Sequence, residues 1–138
     1  MRYTSKQNLL SLIDFVEQQV AFVLETTAGV NDYHEFLLSR TGMILFNSTC
    51  MCLQSVGEVI RKIDEATRGE LLKFYPAVPW RQIVGMRNII SHEYLSVDPE
   101  LVLSVVREEL QPLQDELERI RQAVKQGTHD KLWANENE

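Results

Sequence analysis

Between Leu103 and Val124 the apolar residues Leu103, Val106, Leu110, Leu113, Leu117, Ile120 and Val124 recur at alternating intervals of three and four. A stripe of that period exists on a helix and on nothing else, and it must be covered by another apolar surface. The chain is therefore committed to helices packed on helices. Three further segments carry the same signal: Leu9, Leu10, Ile13, Val16, Val20, Val23 and Leu24; then Phe46, Cys50, Leu53, Gly57 and Ile60; then Ile83, Met86, Ile89 and Ile90. No stretch alternates with the two-residue period of a half-buried strand.

The segment ends agree with this reading. Thr4 with Gln7 offers a capping box, and Gly29 closes the first helix. Val30 to Ser39 and Glu70 to Phe74 read as short helices or structured connections, and the second long helix runs from about Thr41 to Ala66. Gly57, in its middle, costs about 1 kcal/mol against alanine, which marks a close helix approach. Pro79 suits the first turn of the third helix, and Ser96-Val97-Asp98-Pro99 opens the last, with Val97 and Val102 spaced as a hydrophobic staple. Pro112 should bend that last helix. The expectation is an all-α, up-and-down four-helix bundle with additional short helices. Residues 1–126 form one domain, and 127–138 a flexible tail.

A chain of 138 residues is long enough to bury roughly two-thirds of its unfolded surface without disulfides or metal. Cys50 and Cys52 stand about 200° apart on a helix, too far to bridge or to share an ion, so both read as reduced core thiols. No leader pattern opens the chain and no stretch approaches a membrane span, so a cytoplasmic protein with no membrane partner is expected. The net charge of −6 argues against a general nucleic-acid coating surface. Its distribution is uneven: Arg61, Lys62, Arg68, Lys73, Arg81 and Arg87 outnumber the acids among them, whereas from Asp98 to Glu118 seven acids face a single Arg107. The segment leading into the third helix is locally basic, and the body is acidic.

That third helix carries the chemistry. Arg87, Asn88, Ser91, His92, Glu93 and Tyr94 gather a guanidinium, an amide, an imidazole and a phenol within eight residues. At about 100° per residue, Asn88 and His92 stack on one face, whereas Arg87 and His92 point roughly 140° apart. Tyr94 returns to within about 20° of Arg87, roughly 10 Å along the axis. A substrate touching both Arg87 and His92 thus needs a helix that ends near His92 or a second chain that completes the site.

Arg87-Asn88 followed by His92-Glu93-Tyr94 is an R-N-x3-H-x-Y pattern, and it resembles the signature of the HEPN superfamily, in particular its HepT-like branch. Val78-Pro79-Trp80-Arg81, Gly85-Met86, Val97-Asp98 and Val56-Gly57-Glu58 resemble that branch in order and spacing, and the likeness covers roughly Leu9 to Ile120. The resemblance implies a dimeric helical bundle with its two motifs near the dimer axis, and a metal-independent ribonuclease acting as the toxin of a toxin–antitoxin pair. Arg87 and His92 would be catalytic and Asn88 supporting. Tyr94 would be the residue on which an MNT-type nucleotidyltransferase antitoxin places AMP. No cofactor or metal is implied.

These residue types suit the reaction. RNA is cleaved without metal when its 2′-hydroxyl attacks the adjacent phosphorus, which needs a proton acceptor, a proton donor for the leaving oxygen and positive charge around the phosphorane. An imidazole serves the first two and a guanidinium the third. Plainer roles stay open: His92 as a helix-end cap, Arg87 in an ion pair with Glu58 or Glu93, Tyr94 and Trp80 in packing, and no role for His34 or His129. Three functional classes follow: the ribonuclease toxin, a non-catalytic nucleotide-binding or interaction module, and a substrate-binding subunit of a nucleotidyltransferase.

Overall fold

The computed structural model describes residues 5–92 and 96–133, with the side chains of Ile89, Ser91 and His92 outside that description. Five α-helices account for most of it: α1 (Lys6–Thr26), α2 (Arg40–Ala66), α3 (Trp80–His92), α4 (Pro99–Glu108) and α5 (Leu110–Gln126). Short 3-10 turns lie at Tyr33–Phe36, Leu72–Phe74 and Asp130–Leu132, and there is no strand among the described residues. The all-helical architecture matches the sequence reading.

The helices α1, α2 and α4 start where a side chain can satisfy their free N–H groups. Ser5 accepts from Asn8 N, Ser39 from Gly42 N and Asp98 from Glu100 N, with Pro99 in the first turn of α4. The cap of α1 is thus Ser5, one residue on from Thr4, which lies outside the described residues. Tyr33–Phe36 is held by a complete capping box between Asp32 and Glu35, and its Phe36 is fully buried.

The predicted last helix is two helices. Pro112 has no N–H to give the carbonyl of Glu108, and its ring crowds that same carbonyl, so the break falls at Glu109, three residues before the proline. The buried row accordingly begins at Val102, not Leu103, and continues through Val106, Leu110, Leu113, Leu117, Ile120 and Val124. It packs with Leu9, Ile13, Val16, Val20 and Val23 of α1 and Leu53, Val56, Ile60 and Ile63 of α2 in one core. Arg107, amid its acidic neighbours, instead donates to the carbonyls of Thr27 and Val30, tying α4 to the loop that follows α1.

The helix α2 corrects one expectation. By length and composition it could cross a membrane, with a mean hydropathy of 1.3 over its most apolar window. Its apolar residues nevertheless form a seam, and Cys50, Leu53, Val56, Ile60 and Ile63 are buried against α1 and α3.

Beyond α5, Gly127 takes a left-handed conformation (φ 87°) and turns the chain back. His129 is buried and hydrogen-bonded to the Tyr75 hydroxyl at 2.7 Å, while Lys6 pairs with Asp130 at 3.3 Å. Residues 127–133, read from sequence as loose, are thus packed on the body, and 134–138 lie outside the described residues. His34, likewise given no partner in sequence, bonds Asp32 at 2.6 Å on the surface.

Candidate active site at the crossing of two helices

The third helix is placed by its first turn and by one glycine opposite its middle. The Pro79 carbonyl accepts from Gln82 N and Ile83 N, and the Trp80 indole N–H donates to the Tyr75 carbonyl at 2.7 Å. Ile83, Met86 and Ile90 point into the core. Opposite them stands Gly57 of α2, and a Cβ there would meet the Ile83 carbonyl oxygen at 2.9 Å, the Arg87 Cβ at 3.2 Å and the Val84 carbonyl oxygen at 3.3 Å. The close approach anticipated at Gly57 is real, and α3 is what approaches. The absent side chain lets the backbones cross in contact and sets Arg87 directly against the next residue of α2, Glu58.

Arg87 is held at that point. Its Nε pairs with Glu58 Oε1, and its terminal nitrogen donates to Asn88 Oδ1 at 3.0 Å. Glu58 is shared: its other oxygen accepts from Arg61 at 2.7 Å, and Arg61 reaches on to Glu65. Hydrogen bonding from Arg61, with the positive charges of Arg61 and Arg87, holds the Glu58 carboxyl below the usual range, so it stays ionised between two guanidiniums. Of the two ion-pair partners open to Arg87 in sequence, the structure supplies Glu58; Glu93 lies outside the described residues.

Arg87 is about one-third exposed and forms one wall of an open groove with Phe15, Gln54, Ser55, Glu58 and Val59. The pairing therefore fixes its direction but leaves part of the guanidinium available to an anion. Asn88 is exposed on the following position, its side-chain oxygen engaged by Arg87. The helix α3 continues unbroken to His92. Tyr94, the remaining residue singled out, is outside the described residues. Among the described residues no group of three or more His, Cys, Asp or Glu side chains gathers as a metal site.

The sequence pattern R-N-x3-H thus maps onto one helix, with its arginine anchored by an acid from another. In sequence Glu58 is one of two acids open to Arg87, with its side chain facing either solvent or the polar cluster. The signal that could have singled it out is its position directly after Gly57, because the residue next to a backbone crossing faces whatever the crossing brings in.

The ribonuclease HepT-like family model matches residues 16–120. A Methanocaldococcus jannaschii protein named "Putative RNase" is 30% identical over 114 residues, which are 83% of this chain and 97% of that protein. A protein of the same name from Caldanaerobacter subterraneus is 24% identical, covering 82% of this chain and 94% of its own length. A "Probable ribonuclease HepT" of Thermococcus cleftensis is 28% identical over half of this chain and 59% of its own. No solved structure matches.

Proposed function

The chain belongs to the ribonuclease HepT-like family of HEPN proteins, and on that premise we propose that it is a metal-independent endoribonuclease whose reaction centre is completed by a second copy of the same chain. The observation that carries the proposal is the held Arg87: a guanidinium fixed by Glu58, partly open to a groove, on a helix that runs unbroken through the five positions to His92. Positions five apart on a helix lie roughly 140° apart around its axis, so a second copy is what could bring a guanidinium and an imidazole to one phosphate.

A second copy has a surface to use. Ile44, Met51, Ser55 and Glu58 follow one another at helical spacing along the outer face of α2, and the first two are exposed. Met43, together with Phe15 and Phe22 of α1, is exposed as well. Exposed apolar groups that adjoin a polar site favour an interface that buries the former and assembles the latter.

In the assembled site one imidazole takes the proton from the 2′-hydroxyl as that oxygen bonds to phosphorus. Arg87 carries the charge that builds on the equatorial oxygens. The bond to the 5′-oxygen then breaks, a protonated imidazole supplies its proton, and the products end in a cyclic phosphate and a free 5′-hydroxyl. Asn88, bonded to Arg87, keeps the guanidinium from swinging along α3. AMP placed on Tyr94 by an MNT-type nucleotidyltransferase antitoxin would set bulk and negative charge where the RNA phosphate must lie, silencing a cytoplasmic toxin.

The test is cleavage of total RNA in the presence of chelator by protein treated beforehand with phosphodiesterase. Cleavage lost in Arg87→Ala and in His92→Ala supports the assignment, and no cleavage by the folded, stripped dimer ends it. Intact mass after incubation with the partner and ATP tests Tyr94, since AMP addition that survives Tyr94→Phe rejects that residue. One observation favours a second reading, a non-catalytic HEPN interaction subunit of a nucleotidyltransferase complex: Arg87 already has two protein partners. The same RNA assay separates the two.

A further inference from the structure

The seam between α2 and α3 does not end at Arg87. Trp80, Val84 and Arg87 follow one another at intervals of four and three, so they form one row on the side of α3 that meets α2. On α2, Glu58 and Arg61 form the matching pair one turn apart. Toward the start of α3 the seam opens into a cleft of about 490 Å³ lined by Arg61, Asp64, Leu72, Trp80, Arg81 and Val84. That volume lies within the roughly 300–1,000 Å³ typical of small-molecule sites.

Two groups in this cleft lack partners among the described residues. Arg81 is exposed and makes no ion pair there, although the neighbouring Arg61 is engaged by Glu58 and Glu65. The Asp64 carboxylate is half-buried, pushed up by burial and by the Glu65 charge, and makes no ion pair with either arginine. A guanidinium and a carboxylate that face one cleft and pair with none of the described residues call for a ligand with an anionic end and a hydrogen-bond-donating end. Between them lies apolar surface from Leu72 and Val84 with the Trp80 ring. That ring is fixed in place by its bond to the Tyr75 carbonyl.

We propose that this cleft is a nucleotide subsite for the RNA strand flanking the cleaved bond: Arg81 takes a backbone phosphate, Trp80 with Leu72 and Val84 takes the base, and Asp64 accepts from the base's exocyclic amine. The proposal rests on the ribonuclease reading. Arg81 and Arg87 are six residues apart, about 9 Å along the helix axis and roughly 120° around it, so the strand follows the α2–α3 seam from Arg87 and turns outward to reach Arg81. Asp64 makes the subsite selective. Adenine, cytosine and guanine carry an amine for it, and uracil does not.

The experiment uses the full chain and decamers of 2′-O-methyl adenosine, cytidine and uridine, which cannot be cleaved by 2′-oxygen attack. Binding is followed by anisotropy across a salt series. Wild type should hold the A and C decamers several-fold more tightly than U. Arg81→Gln should weaken all three alike and lower the slope of log K against log salt by about 0.7, the value for one phosphate contact on a single strand. Asp64→Asn should close the gap between U and the others. Lys125→Gln, on the exposed side of α5, controls for net charge and should change neither.

An unaltered slope in Arg81→Gln, or equal binding of all three decamers by wild type, overturns the subsite. If that happens while wild type still cleaves RNA, the ribonuclease reading stands without it. If wild type neither binds the decamers nor cleaves RNA, both fall together.

Discussion

Replacing Gly57 by alanine tests how the site is built, because two opposing effects act at one atom. In an ordinary helix interior the change gains about 1 kcal/mol by limiting the unfolded chain. Here the new Cβ lies 2.9 Å from the Ile83 carbonyl oxygen, where ordinary contact begins at 3.4 Å, and 3.3 Å from the Val84 carbonyl oxygen. Both are backbone atoms, so relief means moving α3 by about half an ångström against the core that Ile83, Met86 and Ile90 fill. Overpacking of this kind costs about 1–3 kcal/mol, and the net should be a loss of about 1 kcal/mol. A Cβ added at Gly85, in the middle of α3, would meet nothing within 4 Å. Gly85→Ala should therefore gain up to about 1 kcal/mol. Urea unfolding of the two variants reads the contrast directly, and a stabilised Gly57→Ala equal to Gly85→Ala refutes the close crossing. The same displacement carries Arg87 with it, so Gly57→Ala should also lower RNA cleavage under conditions where it is fully folded, and Gly85→Ala should not.

Glu58→Gln keeps the shape of the side chain and removes the charge that orients Arg87; kcat should fall about ten- to hundredfold with little change in KM, and a variant with unchanged kcat removes Glu58 from the site. His129 is buried against Tyr75, and that burial holds its pKa below 6.5. As pH falls below that value the unfolded chain takes up the proton first, so this stability is present above it and lost as pH drops through the folded-state pKa. His129→Gln should flatten the acid side of the stability profile, and an unchanged profile in urea melts contradicts the assignment. Burial pushes the Cys50 thiol up to about 11, so iodoacetamide at neutral pH should label it only on unfolding; labelling at the rate of a free thiol places Cys50 outside the core.

The helical seams were legible because a packed helix repeats its buried positions locally. Val16, Val20, Cys50, Leu53, Leu113 and Leu117 occupy the core as their spacing required. The break at Glu109 was not, since proline acts on a carbonyl four residues upstream, and a reading centred on Pro112 finds a bend at the wrong place. Pairings across the fold leave no local mark. Tyr75 and His129 are 54 positions apart, and Arg107 among acids binds backbone carbonyls. The candidate site falls between these cases. Arg87, Asn88 and His92 could be set on one helix by counting, and Gly57 announced a crossing. That Glu58 meets Arg87 depends on the register of that crossing, which only the folded chain fixes.

The most direct measurement mixes two inactive proteins. Arg87→Ala and His92→Ala are denatured together, refolded as a mixture and checked by native mass for heterodimer, and RNA cleavage in chelator is then compared with each variant alone. The composite centre predicts partial recovery of activity in the mixture, because one protomer supplies the guanidinium and its partner the imidazole. A mixture containing heterodimer yet as inactive as either parent contradicts it.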